Sequence, residues 1–528
     1  AHKTEFLYMS EPDTIAAGVL DARKCIDNAE EVFTLLAKGD YLMGGNNHNN
    51  HGMYIVFPKE SEFPNMPVAG PDRRFVAMPA YLGGRFDICG QKWYGSNAAN
   101  KKKGLPRSVL MVTLNNKDTG EPIAYMSANL LSAARTGAVP GVATRYLARK
   151  DAEVLLCIGC GAIGTSCLDN VITQMPKVKK VICNNHSLAP AEKLAAHVRE
   201  AYGVEAVVEQ DLETAVRQAD VISVAASRTA FLNLKGEWVK PGCTILASGP
   251  IHFDQEEGGE YEKNGGLWTK MKVVYDHIGL HHAYVEDAIA TGDKEEYYAG
   301  VIGGPVYHLI DLGLKEQLDD SLAIGKIIMG QQQGRTSDDD IICFIACGMS
   351  VFDLGLGYDL YQTALEKGIG TKLLLWENPA SASNFTITLS PFKLISAAGK
   401  RRHLPPLSVR KKAPTLLSIG AFALFSSAYV AVFYPSELAA DKAENPGENG
   451  RKDDGYKRKA YPIDRGGGDR RRAVEQASAE GFDHPVHTPI GPTRPQVPMP
   501  EETAAPFISS LNRQVATGPV TALAAMAG

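Results

Sequence analysis

Gly159, Gly161 and Gly164 are spaced G-x-G-x-x-G and follow directly on the apolar run Val154 to Ile158, with helical spacing resuming behind them. That is a buried strand, a tight turn and a helix start. In such a unit Gly159 permits the turn, Gly161 removes the side chain that would block a pyrophosphate, and Gly164 lets the helix pack close to the strand. Phosphate oxygens would then meet the unpaired backbone N–H groups at the positive end of the helix. Gly159, Gly161, Ala162, Ile163 and Gly164 are therefore candidate cofactor contacts. Asn185, His186 and Ser187 join them at the end of the strand VKKVICNN, as do Ala225 and Ser227 at the end of DVISVAA. An acidic residue after the second strand would bind a ribose 2′-OH and repel a 2′-phosphate. Here Asn184, Asn185, His186 and Ser187 stand in its place, which favours NADP over NAD.

A second set of candidates is basic. Lys92 lies in CGQKWYGSN beside Trp93 and Tyr94. Such a lysine either snorkels to the surface or is held in a cleft, with a lowered pKa or a carboxylate partner. Arg135 lies in LLSAARTGAVPGVATRYLAR, and its planar guanidinium suits a bidentate grip on a carboxylate; the alternative is a helix-surface charge. Arg73 and Arg74, in GPDRRF, are a third candidate or a turn surface. Asp353, inside the apolar run IACGMSVFDLGLGY, needs a partner if buried, and is read as a structural hydrogen-bonder. His48 and His51, in GGNNHNNHG, have metal-ligand chemistry but no neighbouring Cys or carboxylate, so the run is read as a solvated loop without metal.

The elements that position these groups divide the chain. Residues 11 to 40 have helical apolar spacing. From Met53 to Leu130 short β-type runs are separated by Pro and Gly, implying an antiparallel sheet. Asp151 to about Gly249 alternates strand and helix, the pattern of a doubly wound parallel sheet. Residues 317 to 377 read as helices with a central turn, one starting near Ser337 to Asp340. The expected organisation is α/β: 1–134 the first part of a substrate and dimerisation domain of α+β type, 135–310 the Rossmann domain, 311–379 helices returning to the first domain, and 380–528 a low-complexity tail.

The chain's 528 residues are too many for one core, and 44% hydrophobic and 22% charged is ordinary for a globular protein. A net charge of -5 gives no reason to expect nucleic acid. Nine irregularly spaced cysteines argue against a secreted disulfide framework, and the CxxC of Cys157 and Cys160 straddles the glycine turn, so no redox role is assigned to it. The chain begins AHKTEF, without a signal peptide's apolar core, and a cytoplasmic location is expected. In the tail, Thr415 to Tyr434 is an uncharged run of 20 residues behind Arg410, Lys411 and Lys412. It is a candidate membrane span, with a buried or interfacial helix as the alternative. The acid-free lead-in from 380 to 412 is like a transit peptide, so mitochondrial association is a further expectation; residues 441 to 505 have the composition of a disordered segment.

Taken together, MPAYLGGRF at Met78, CGQKWYGSN around Lys92, TGEPIAYMSANLLSAARTGA ending at Ala138, YLARKDAEVLLCIGCGAIG, ADVISVAAS at Ala219 and GRTSDDDIICFIACGMSVFDL from Gly334 resemble the ornithine cyclodeaminase/mu-crystallin family, most of all a subgroup that carries a tyramine oxidase label. The resemblance runs in order from about residue 5 to 377. It implies a Rossmann domain, a second domain built from both chain ends, and a sheet that completes a barrel across a homodimer. Family members include cyclodeaminases with bound NAD, NAD(P)-dependent alanine dehydrogenases, imine and ketimine reductases, and opine-like dehydrogenases; mu-crystallin serves as an NADPH-binding protein. By resemblance Lys92 is the active-site lysine, Arg135 the carboxylate-binding arginine, and Arg73 or Arg74 a further one. Where cyclodeaminases carry an acid after the fourth Rossmann strand, this chain has Ile251; Asp254 or Glu256 replaces it only by a loop shift. The expectation is an amino acid or imine oxidoreductase, with a cyclodeaminase and a non-catalytic binding protein as alternatives.

Overall fold

The computed structural model describes residues 2–226, 232–255 and 265–379, together with the backbone of two short paired strands, Lys393–Ile395 and Arg401–His403. Ser227, Glu256 and the apolar run Thr415 to Tyr434 lie outside the described residues. Among the described residues no helix is long and apolar enough to cross a membrane.

The first sheet joins both ends of this region. Its order is Thr371–Trp376, Thr4–Met9, Pro122–Ser127, Ser108–Asn116, Ile88–Ser96, Arg74–Leu82 and Tyr41–Met43, with Met53–Val56 also paired to Arg74–Leu82. Every pairing is antiparallel except that of Thr4–Met9 with Pro122–Ser127. Strand alternation sets the faces. Val76, Met78, Ala80 and Leu82 turn to one side and are buried, and register puts Lys92 on that side, opposite Met78 and Val112. The helix Ser350–Lys367 packs across this face, and the helix Ala22–Lys38 packs against that helix. The latter begins where the Asp21 side chain accepts from the Lys24 amide and ends at Gly39 with φ +78°. On the opposite face Tyr8, Ile55, Phe75, Val109 and Leu373 are all exposed.

The second sheet is parallel throughout, in the order Glu205–Val208, Lys180–Asn184, Val154–Ile158, Val221–Val224, Thr244–Ala247, Ile342–Ile345, Lys272–Tyr275 and Leu322–Ala323. The chain leaves Val154–Ile158 toward one edge and returns at Val221–Val224 on its other side, so the glycine turn sits at the topological switch point. The doubly wound sheet read from the sequence is thus present, and it is larger than that reading. Residues 317 to 377 are not a set of helices with a central turn. Ile342–Ile345 is a buried strand between Thr244–Ala247 and Lys272–Tyr275, and the helix that crosses the first sheet begins only at Ser350. No helix starts at Ser337: the Asp340 carboxylate accepts from the Thr336 and Ser337 amides at 2.7 and 2.9 Å and pairs with Lys272, forming a turn into the strand. An apolar run buried on both faces shows no alternation, which is why its period did not separate strand from helix.

Candidate active site

The glycine turn has the geometry its spacing implies. Gly159 has φ +95°, and a Cβ there would lie 2.7 Å from the Ala225 backbone. A Cβ on Gly164 would overlap the Gly159 carbonyl oxygen. Among the described residues, nothing beyond its chain neighbours lies within 4 Å of where a Cβ on Gly161 would stand, so these residues do not require glycine there. Gly161 is the N-cap of the helix Ala162–Ile172, whose first backbone N–H groups are the kind of donors that suit a phosphate. Ala162 is exposed, Ile163 half-buried, and Ala225 half-buried beyond the switch-point strand. Asn185 locks the neighbouring loop: its Oδ1 accepts from the Cys160 amide at 3.1 Å, and its Nδ2 donates to the Ser187 carbonyl and hydroxyl oxygens. His186 and Ser187 are exposed beside it. A cavity of about 750 Å³ borders the turn, lined among others by Cys160, Gly161, Ala162, Thr165, Ala189 and Lys193; Lys92, Arg135 and Asp353 do not line it. We expect Gly164→Ala, which forces the turn apart, to weaken cofactor affinity at least about tenfold and lower the melting temperature; fluorescence titration with NADH and NADPH checks this.

The basic candidates meet on one carboxylate. Lys92 Nζ and Arg135 Nε each lie 3.0 Å from Asp353 Oδ2. Lys92 comes from the strand Ile88–Ser96, Arg135 from the helix Asn129–Leu147, and Asp353 from the first turn of Ser350–Lys367. All three are buried, at 3%, 6% and 0% exposure. The snorkelling and helix-surface alternatives for Lys92 and Arg135 are thereby removed. Burial, and next the Arg135 charge, push the Lys92 pKa down to about 8 against the opposing pull of Asp353. Two cations and one carboxylate leave the cluster with one net positive charge. Asp353 Oδ1 makes no hydrogen bond among the described residues. Lys92 Nζ also lies 5.8 Å from the Tyr94 ring centroid.

Neither member of the Arg73/Arg74 pair joins this cluster. Arg73 precedes the strand, donates to the Val68 carbonyl and lies over the Phe57 ring. Arg74 is on the Lys92 face, opposite Ser96, and pairs with Asp72, which Arg107 and Ser96 also engage. Its place is four residues along the strand from Met78, about 13 Å at strand rise. Ile251 is fully buried, and Asp254 does not stand in for a catalytic acid: it accepts from the Gly236 and Leu267 amides at 2.8 and 3.1 Å.

Two contributors were not singled out as site residues from sequence. Asp276, buried at the end of Lys272–Tyr275, accepts from the Cys347 and Gly348 amides on one oxygen and from the His277 amide and His281 Nε2 on the other. Burial works to raise its pKa, and His281 with the amides outweighs this and holds it below the usual carboxylate value. Asp276 thereby fixes Gly348 (φ +81°), where a Cβ would meet Arg135 Nη1 at 3.1 Å. The second is His51, whose Nδ1 lies 3.0 Å from the Gly348 carbonyl oxygen. Its sequence signal was the run GGNNHNNHG, read as solvated; among the described residues no group of His, Cys, Asp and Glu could hold a metal ion.

Comparison with known proteins agrees with this fold. N-((2S)-2-amino-2-carboxyethyl)-L-glutamate dehydrogenase of Staphylococcus aureus is 27% identical over 376 residues, 70% of this chain and 99% of the relative. Delta(1)-pyrroline-2-carboxylate reductase of Bacillus cereus is 29% identical over 309 residues, 58% of this chain and 87% of the relative. Among solved structures, an archaeal alanine dehydrogenase dimer with bound NAD superposes with a TM-score of 0.54 at 27% identity, covering 71% of this chain and all of that one. The family model for ornithine cyclodeaminase/mu-crystallin matches residues 20–368, and on that match, with the fold and the glycine turn already described, the chain belongs to the ornithine cyclodeaminase/mu-crystallin family.

Proposed function

We propose that the chain is an NAD- or NADP-dependent oxidoreductase that reduces the C=N bond of a 2-imino acid, or oxidises the corresponding amino acid. The observation that carries this is the buried cluster of Lys92, Asp353 and Arg135 with its single net positive charge. A substrate carboxylate against Arg135 neutralises that charge, and the guanidinium fork fixes the orientation of the atom to be reduced. The glycine turn Gly159, Gly161 and Gly164 would hold a nicotinamide dinucleotide, which would supply or accept the hydride when bound. Lys92, with its pKa near 8, is the proton donor to the developing amine, and Asp353 holds its ammonium in place. The end of the strand Lys180–Asn184 offers no carboxylate to a 2′-phosphate, so NADP is the favoured cofactor within this reading.

The cyclodeaminase alternative loses support because the position of its acid is filled by buried Ile251, and Asp254 is committed to two backbone amides. The exposed apolar face of the first sheet is the surface on which a homodimer would form. No disulfide joins the cysteines among the described residues, in keeping with a reducing compartment.

The experiment supplies purified chain with NADPH or NADH and Δ1-pyrroline-2-carboxylate, its six-membered homologue, or pyruvate with simple amines, and follows loss of reduced-nicotinamide absorbance. Turnover of one of these is the expected result. Tight cofactor binding with no turnover on any of them would instead support the non-catalytic binding protein.

A further inference from the structure

We propose that His51 is a specificity-determining residue of the substrate pocket, selecting 2-imino acids that carry a single carboxylate and a flat, uncharged side chain or ring. The inference rests on the function proposed above and names the substrate class of that same site.

Two separate lines of contact place His51 there. The first runs through Gly348, whose carbonyl oxygen meets His51 Nδ1 at 3.0 Å and whose missing side chain makes room for Arg135 Nη1. The second runs across the sheet. Tyr54 pairs with Val76, and Val76 with Tyr94, in the row next to Met78 and Lys92 on the same face. The His51 ring stacks on Tyr54, with centroids 6.2 Å apart and planes at 17°, and lies 6.1 Å from the Tyr284 ring. His51 therefore stands over the Lys92 face of the sheet, whereas Arg74 on that face is paired with Asp72 and Arg73 precedes the strand.

The loop that carries it is held on the Rossmann side. Asn47 donates to Glu286 at 2.7 Å and Asn50 to Asp287 at 3.3 Å, while Tyr41 and Asn49 engage His277. Burial pushes the His277 pKa down to about 4, so that anchor is neutral at neutral pH. The histidine is thus presented by a fixed scaffold. Its chemistry follows from its partner. A carbonyl only accepts, so Nδ1 carries the proton, and in the neutral ring Nε2 is an acceptor. An arginine at this place would bring a second fixed charge and a bidentate grip on a second carboxylate; an imidazole between two tyrosine rings brings neither. The one surplus charge of the Lys92, Asp353 and Arg135 cluster is answered by one carboxylate, and the aromatic rings beside His51 favour a flat neutral remainder.

The test uses the full chain saturated with reduced cofactor, comparing wild type with His51→Ala, His51→Gln and His51→Arg. One readout is calorimetric affinity for pyrrole-2-carboxylate, a flat unreactive carboxylate. The other is the kcat/KM ratio for pyruvate plus ammonium against oxaloacetate plus ammonium. His51→Ala is expected to weaken the analogue and raise KM by about tenfold or more, with a smaller change in kcat and unchanged cofactor affinity. His51→Gln, which can still donate to Gly348, should stay within about threefold of wild type. His51→Arg should move the ratio toward the dicarboxylate by about tenfold or more, a change that a merely structural role would not produce. Unchanged analogue affinity in His51→Ala, or an unmoved ratio in His51→Arg, overturns the proposal while leaving the reductase reading intact. Should wild type bind the analogue yet turn over nothing, the reductase reading fails and calorimetry alone decides the role of His51. No binding of the analogue to wild type overturns the proposal for His51, and turnover of the imino acids decides the reductase reading separately. If His51→Ala does not fold, His51→Arg and His51→Gln carry the comparison.

Discussion

Lys92→Ala is expected to lower kcat/KM for the imino acid by about a hundred- to ten-thousandfold while cofactor affinity stays at the wild-type value. Lys92 is in the first sheet, separate from the glycine turn, so a loss confined to chemistry is the signature of its assigned role. Arg135→Ala should match it in size but differ in kind, with a larger share in KM, because on the proposed function the guanidinium would grip the ground-state carboxylate as well. The pH profile sharpens the assignment. A proton donor works only while protonated, and burial with the Arg135 charge brings Lys92 down to about 8 from its ordinary 10.5. Activity should therefore be full below pH 8 and fall as pH rises through it, well before an ordinary lysine would titrate. Lys92→Ala retaining more than about a tenth of wild-type kcat/KM, or a wild-type profile flat to pH 10, would remove Lys92 from the proton-donor role.

Asp353→Asn should be the most destabilising single change at the site. It removes the one negative charge between two buried cations and leaves both uncompensated, a change that costs about 3–5 kcal/mol when a buried pair is broken. Urea unfolding near neutral pH is the measurement, and a loss under about 1 kcal/mol would show the cluster to be better solvated than its burial implies. The variant should also shift the pH profile. Asp353 is the group that raises the Lys92 pKa against burial and Arg135, so its removal moves the alkaline limb to lower pH. The linkage has a definite sign. Between about 8 and 10.5 the unfolded chain holds a proton on Lys92 that the folded chain does not, so this lysine's contribution to stability rises with pH across that window, and Asp353→Asn widens the window at its lower end. Pairing Asp353→Asn with Arg135→Met removes one charge of each sign and should restore part of the lost stability, as expected for coupled residues.

Local pattern carried much of this arrangement. The strand, glycine turn and helix at 154–172 are contiguous, and Gly159 and Gly164 act on a neighbour within a few residues or on the end of the adjoining strand. Lys92 and Asp353 stood out as charges within apolar runs, and the structure makes each the other's partner across 261 residues. What local pattern did not carry was register and distance. Arg73 and Arg74 are adjacent in the chain, yet pleating turns only Arg74 to the Lys92 face, and strand length then carries it out of reach. The composition of GGNNHNNHG looked solvated because the partners that order it, Glu286, Asp287, His277 and Gly348, come from the other half of the enzyme region. Ile342–Ile345 lacked alternation because neighbouring strands and both faces bury it completely.

The helix Ser350–Lys367 gives the site an order of completion during synthesis. Lys92 and Arg135 leave the ribosome more than two hundred residues before Asp353, and the strand Thr371–Trp376 that pairs with Thr4–Met9 follows later still. Until then the nascent first domain carries two cations without their counter-ion and a sheet face without its helix. The Rossmann segment between them can form its switch-point strands in the meantime, since Val154–Ile158, Lys180–Asn184 and Val221–Val224 are already translated. On the function proposed above, a ribosome stalled before residue 350 would thus hold a chain able to seat a dinucleotide on its glycine turn but with no means of using it.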